Sequence, residues 1–346
     1  MTKHSYSVKA SVIMPVFNRQ RYLKESMESV LNQSFTDFEF IIIDDASTDD
    51  SLQIIYSFHD SRIVLLKNKT NIGISASRNL GLKIAKGEYI IVFDSDDVNV
   101  PRRFELQIRF MDDNPQIGVC GSWYETFGTE KRVFLLPKNS DFLKAQLLFG
   151  SSLCHPSVIL RRELMNSCQI MYNEEFNSSI DYELWAQLLD KAVFTNMQHV
   201  LLKYRVHKKQ VSDVIKHDQL SNASKIRAEL LSKMGISATI EEMQTHENIC
   251  SYTIGKCTDN VFTWLNRLVQ INSSNSIFDK SAFIEQVCDI GLIVCAVSEN
   301  KLHAAKLFLF KLSVPLRVKF KAVGNRLLKT LKYQYFRLNP RALYPR

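Results

Sequence analysis

Four short runs near the start of the chain, ASVIM (10–14), FEFIII (38–43), IVLL (63–66) and YIIVF (89–93), are almost wholly apolar and rich in β-branched and aromatic residues. Runs of this length and composition read as strands buried on both faces, the habit of a parallel sheet. Between them lie stretches with apolar residues three and four apart, at 22–31, 51–58, 74–85 and 101–111, the last opened by Pro101. These read as helices. Such alternation predicts an α/β fold, a Rossmann-like and mostly parallel sheet flanked by helices, with its ligand crevice at the carboxyl ends of the strands.

The unusual residues fall at those ends. The first strand runs into Pro15, Val16, Phe17, Asn18 and Arg19, the second into Asp44 and Asp45, and the fourth into Asp94, Ser95, Asp96 and Asp97. Neither a GxGxxG turn nor a GxxxxGK[ST] loop follows any of them, which disfavours a dinucleotide site or a phosphate loop. The nearest Lys or Arg to the Asp94–Asp97 cluster along the chain is Arg102. Unpaired carboxylates at a buried strand end repel one another and lose hydration, so a cation from solution is expected. Mg²⁺ or Mn²⁺ suits oxygen ligands and is readily shared with a diphosphate. The plainer alternative makes Asp94 a turn cap and Asp97 a helix start.

The blocks SVIMPVFN, FIIIDDASTDDS, NIGISASRNLGLKIAKGEYIIVFDSDDVNVP, SSIDYELW and LLKYRVHKKQVS, in this order over residues 8–212, resemble the family 2 glycosyltransferases of the GT-A fold. The layout, with a basic helical tail, is most similar to bacterial enzymes that extend lipo-oligosaccharide and other surface glycans with β-linked sugars. The resemblance implies a UDP-sugar donor, with Pro15, Val16 and Phe17 lining the base pocket, Asp45 accepting from the uracil N3 hydrogen and Arg78 nearby. Asp94 and Ser95 then sit against the nucleotide sugar, Asp96 on the metal, and Asp97 is a less defined third acid. Asp181 opens a helix with Leu184, Trp185, Leu188 and Leu189 at helical spacing, where capping alone would account for it. The family's motif has an acidic pair here and this chain has Ile180 in the first place; the resemblance makes the remaining Asp181 the general base. His207 is implied as a metal or diphosphate ligand. His155 and Trp123 are candidates for the acceptor side, against plain packing for the indole; Arg205 and Lys208 either neutralise phosphate or face solvent.

The implied reaction is a metal-dependent single displacement that inverts the anomeric centre and moves a hexose or N-acetylhexosamine to a glycan or glycolipid acceptor. Two other readings stand beside it. IVFDSDDV also fits the nucleophile motif of haloacid-dehalogenase-type phosphatases, with Asp94 as the nucleophile. A non-catalytic protein binding anionic surfaces is the other.

Charge bears on that last reading. Net charge is +8, yet no acidic residue follows Glu299 while twelve Lys and Arg do, so the first part sums to about −4 (8 − 12). A basic amphipathic tail suits an anionic membrane surface; nucleic acid is disfavoured because RNA-binding and helix-turn-helix signatures are missing. The expected division is a catalytic domain at 1–212 and a helical region at 213–346, with helices near 223–234, 261–269 and 283–297. Seven Cys without a CxxC pair, no leader-like N-terminus and no long apolar run point to a cytoplasmic protein, peripheral on the inner membrane face.

Overall fold

A computed structural model describes residues 6–207, 216–253, 258–338 and 343–344. The chain divides into two compact units, Met1–Lys138 with Leu153–Asn222 and Tyr344–Arg346, and Asn139–Ser152 with Ala223–Leu343. The division expected at 212/213 lies outside the described residues, as does Lys208. The unit boundary falls within the helix Lys216–Lys233, and residues 139–152 group with the second unit rather than the first.

In the first unit the described strands are β1 (Ala10–Val16), β2 (Phe38–Asp44), β3 (Ile63–Lys67), β4 (Tyr89–Val92), β5 (Val98–Asn99), β6 (Val119–Gly128), β7 (Val133–Phe134), β8 (Ile159–Arg161) and β9 (Phe194–Val206). They form one nine-stranded sheet in the order β3-β2-β1-β4-β8-β6-β9-β5, with β7 on β6. The first four predicted strands pair in parallel, and β8 joins β4 antiparallel. Burial of β3 differs from expectation: it is the sheet edge and only half-buried, because it has a neighbour on one side alone. Helices α1 (Leu23–Leu31), α2 (Ser51–Tyr56), α3 (Ile74–Ile84) and α4 (Arg103–Asp113) lie close to the predicted stretches. This is the GT-A architecture, a mostly parallel sheet flanked by helices.

Strand alternation sorts the core. Val12, Met14, Phe40, Ile42, Ile91 and Phe93 form one cluster with Leu23, Met27 and Val30 of α1 and Phe104, Ile108 and Met111 of α4. Each side chain so buried contributes about 1.5–3 kcal/mol. On the opposite face α3 approaches closely at Gly81, where an added Cβ would lie 2.7 Å from Ile13 Cγ2.

This pairing also opens the crevice. β4 covers β1 only from Ala10 to Ile13, whereas β2 follows β1 to Val16. Beyond Ile13 the strands part, and Pro15, which has no N–H to donate, occupies the stretch free of the β4 ladder. The gap between β1 and β4 is where strand order reverses, the usual ligand position in such sheets.

The second unit is helical: α5 (Ser140–Gln146), then Lys216–Lys233 in part, Ile240–Cys250, Thr258–Asn275, Lys280–Val297, Lys301–Lys306 and Leu316–Leu338. Helix α5 packs on Lys280–Val297, which is why residues 139–152 belong there. Cys288 is buried in the latter helix and Cys295 partly so. No described helix is long and apolar enough to cross a membrane.

Candidate active site

At the end of β1, Pro15 and Val16 are buried and Phe17 is exposed at 41%. Asn18 then turns with φ 53°, its Oδ1 accepting from the Thr48 N–H (2.8 Å) while its own N–H donates to Ser47 Oγ (3.1 Å). Ala46, after β2, has φ 60°, and Ser179, just before Asp181, has φ 56°. Non-glycine residues in the left-handed region cost about 1 kcal/mol or more each and gather where a site dictates the backbone.

Asp45 is buried and already engaged. Its Oδ1 accepts from Asn68 Nδ2 (2.8 Å) and the Ile72 N–H (2.9 Å), and its Oδ2 from the Gly73 N–H (3.0 Å), so it fixes the loop that leads into α3. Two carboxylate oxygens offer about four acceptor sites, which leaves room for one more donor. Asp44 is buried beside it, and its Oδ1 has no hydrogen-bond partner among the described residues.

The acidic cluster departs from the expectation of uncompensated charge. Arg78 of α3, 1% exposed, pairs with Asp94 Oδ1. Arg19 Nε lies 3.7 Å from Asp96 Oδ2, and His207 Nε2 lies 3.1 Å from the same oxygen. The nearest cation in sequence was the wrong measure, because helix α3 and the end of β1 deliver cations, and the end of β9 an imidazole, through space. Asp94 is held above the usual carboxylate range by burial, which the Arg78 charge opposes. Asp97 is pushed up further by burial, with the Asp96 and Asp94 charges adding to it. Its Oδ1 accepts from the Arg205 N–H (2.8 Å) and its carbonyl from Ser26 Oγ (2.7 Å), so Asp97 anchors the acidic turn rather than facing the crevice. Ser95 is buried in that turn.

Arg205 neither faces solvent nor opens on the crevice. Its Nε donates to the Asp96 carbonyl (2.7 Å), its Nη2 to Glu25 Oε2 (2.5 Å), and its guanidinium lies 4.7 Å from the Tyr22 ring centroid and 4.3 Å from that of Phe127. The Tyr22 ring also lies 4.7 Å from the His207 ring, which steadies the imidazole beside Asp96.

Asp181 is in the first turn of the helix Ile180–Gln187, with Ser179 at the cap; the carboxylate is therefore not the N-cap itself. The Cys154 thiol is pushed far up by burial, with the charges of Asp97, Asp94 and Asp181 adding. That thiol thus lies within the field of both acidic groups, which the sequence separates by more than eighty residues. Tyr172, pushed up to about 12 by burial, senses Arg78, Asp94 and Asp181 together. Its hydroxyl meets His155 Nε2 at 2.9 Å, and Arg78 lies over its ring at 5.6 Å from the centroid. His155 is buried, and burial with the Arg78 charge holds it well below the usual histidine range, so it is a neutral imidazole. Trp123 is a correction: it is 2% exposed and its Nε1 donates to the Leu136 carbonyl (2.9 Å), so its ring packs in the core and offers no face to a sugar.

Sequence reasoning missed Tyr172 and Arg103. Arg103, fully buried at the start of α4, donates through Nε to Gln107 Oε1 (2.9 Å), through Nη1 to Asn99 Oδ1 and the Pro156 carbonyl (2.6 Å each), and through Nη2 to the Val92 and Val158 carbonyls (3.3 Å each). Burial brings it down to about 9, while Asp97 and Asp94 are among the charges that oppose the fall. It ties the end of β4, two residues before Asp94, to the turn that carries His155. Nothing local distinguishes it from Arg102, which is half exposed one position earlier.

Asp96 and His207 pair a carboxylate oxygen with an imidazole nitrogen, a donor set that suits Mn²⁺ and accepts Mg²⁺ through the oxygen. Among the described residues no three His, Cys, Asp or Glu side chains converge as metal ligands. Two protein donors fit a cation whose other positions belong to diphosphate oxygens and water, rather than one caged by the protein alone. The buried Nε and Nη1 of Arg78 have no hydrogen-bond partners among the described residues, and its positive charge stands behind the acidic turn.

Residues 11–166 match the family model described as Glycosyl transferase family 2. The chain is 32% identical over 244 residues to Escherichia coli WfaP, named UDP-Glc:alpha-D-GlcNAc-diphosphoundecaprenol beta-1,3-glucosyltransferase, covering 70% of this chain and 90% of that one. Among solved structures it resembles S. aureus TarS 1-349 in complex with UDP-GlcNAc, with TM-score 0.56, 19% identity and coverage of 91% and 89%. It also resembles the mannosyltransferase PcManGT from Pyrobaculum calidifontis in complex with GDP-Man and Mn2+, with TM-score 0.54, 13% identity and coverage of 89% and 91%. The structures speak for the fold; identity sustained over nine tenths of WfaP speaks for descent. On that ground the chain is a glycosyltransferase and belongs to family 2.

Proposed function

We propose that the enzyme transfers a hexose or N-acetylhexosamine from a UDP-sugar to a lipid-linked glycan, with inversion and formation of a β-glycosidic bond. The observation that carries this reading is the Asp96–His207 pair close to the Arg78–Asp94 ion pair, a carboxylate and an imidazole backed by a buried positive charge, which suits a dication and a diphosphate together. Pro15, Val16, Phe17 and Asp45 form the base end of the donor site in this reading. A divalent ion, Mn²⁺ or Mg²⁺, held by Asp96 and His207 would neutralise the charge that grows on the departing UDP.

Asp181 takes the proton of the acceptor hydroxyl as that oxygen attacks the anomeric carbon, and the C1–O bond to UDP breaks with its electron pair on the diphosphate. Arg78 meets that charge from inside the fold. Neutral His155, hydrogen-bonded to Tyr172, borders the acceptor side. The name of WfaP, a relative acting on a diphosphoundecaprenol-linked sugar, supports a glycolipid acceptor and work at the cytoplasmic membrane face.

A panel of UDP-sugars with Mn²⁺ or Mg²⁺, scored for UDP release with and without lipid-linked and soluble oligosaccharides, tests this. Release is expected with one UDP-sugar, increased by acceptor and abolished by chelation. Undiminished release after chelation, or preference for a non-uridine donor, would overturn it.

A further inference from the structure

The helix Leu316–Leu338 has one face turned inward and another that remains apolar and exposed. Inward lie Lys319, whose Nζ donates to the carbonyls of Leu309 (2.8 Å) and Leu312 (2.6 Å), Ala322, and Arg326, paired with Asp289 at 2.8 Å. Outward, Leu316, Phe320, Val323, Leu327 and Leu331 repeat at steps of four, three, four and four. At ~100° per residue they share an arc about 80° wide, roughly a third of a turn from the inward face. Phe320 is 65% and Leu327 61% exposed, and Phe310, shortly before the helix, is 85% exposed.

A helix that has buried one side against its own unit has no folding reason for a second, ordered hydrophobic stripe. Arg317 and Lys321 are exposed beside one edge of the stripe, Lys321 also reaching Glu285 at 3.4 Å, and the chain from Lys301 to Arg346 contains no acid. A second copy of this chain would bring the same excess of positive charge to the contact. Nucleic acid would engage the cations but leave the leucines in water.

We infer that this stripe is a membrane-docking surface, with Leu316, Phe320, Val323, Leu327 and Leu331 entering the headgroup boundary of an anionic bilayer and the flanking cations meeting its lipids. This rests on the glycolipid-acceptor reading above and adds where the enzyme meets the surface that presents its acceptor.

The test is flotation of the full chain, without nucleotide, with phosphatidylcholine vesicles and with vesicles containing one third phosphatidylglycerol. Partition into the anionic vesicles is expected to exceed that into neutral ones by about tenfold or more and to weaken with salt. F320E/L327E is expected to lose about tenfold or more, with its circular dichroism and its UDP release with a soluble acceptor unchanged. R317E/K321E is expected to abolish the preference for anionic lipid. Equal partition of parent and F320E/L327E overturns the inference, as does indifference to lipid charge. A parent that sediments as a dimer while F320E/L327E sediments as a monomer assigns the stripe to a second copy instead. Flotation is read without turnover, so its failure leaves the donor chemistry intact, and a silent donor panel leaves the docking result standing.

Discussion

The buried guanidinium of Arg103 is where fold and site are most tightly joined, and its removal has a calculable cost. In Arg103→Met, three acceptors at 2.6–2.9 Å, Gln107 Oε1, Asn99 Oδ1 and the Pro156 carbonyl, lose a charged donor in a region closed to water. The Val158 carbonyl keeps the Val92 N–H at 3.0 Å, so it is not orphaned. At about 1.5 kcal/mol for each hydrogen bond to a charged group, the loss is about 4–5 kcal/mol, within the range for breaking a buried ionic network. Against a typical stability of about 5–15 kcal/mol this is a large fraction. Arg103→Lys keeps the charge but offers one compact ammonium to acceptors arranged for a fork, and is expected to recover about half. Urea unfolding measures the stability, and UDP calorimetry on the folded fraction measures positioning, with a loss of about tenfold expected for R103M as the Asp94 turn drifts. An R103M protein within about 1 kcal/mol of the parent, at the same m-value, would refute the reasoning.

Asp181→Asn is expected to lower turnover by about 10²–10⁴ with UDP-sugar affinity nearly unchanged; near-parental turnover would remove Asp181 from the base role. His207→Ala is expected to raise the Mn²⁺ concentration needed for UDP binding by at least about tenfold, read by calorimetry, whereas an unchanged requirement would free the imidazole of that role. In the helical unit, His246 accepts from Trp264 Nε1 at Nδ1 (3.1 Å), faces the Leu148 carbonyl through Nε2 (2.9 Å), and is brought down to about 4 by burial. Its unfolded form binds a proton near 6.5, so between there and 4 the unfolded state holds more protons, and stability falls as pH drops, by about 3 kcal/mol at pH 4. Urea melts of H246Q should lack that component; parallel curves for parent and variant between pH 7 and 4 would exclude it.

Much of the first unit was legible in the chain. Strands buried on both faces carry their signal in every residue, and helices packed on one side carry it in apolar spacing, so β1, β2, β4 and α1 to α4 fall close to their expected places. Asp45, Asp94, Asp96, Asp181 and His207 stood out as candidates because they lie beside strand and helix ends in an ordered set of motifs. Trp123 was misplaced because an indole suited to stacking on sugar is equally suited to a core. The edge position of β3 was hidden because it depends on which neighbour is missing.

Local composition was enough for the parallel strands, the crevice at their carboxyl ends, the acids that line it and the basic cast of the last helix, since each of these depends on residues close together in the chain. The partners of those acids were settled only when distant segments met. Arg78, Arg19 and His207 approach Asp94 and Asp96 from three separate elements, Arg103 is indistinguishable from Arg102 until α4 docks beneath β4, and Tyr172 finds His155 and Arg78 across the fold. Charge compensation works through space over a few ångströms, and a linear order of residues does not record which ones folding brings that close.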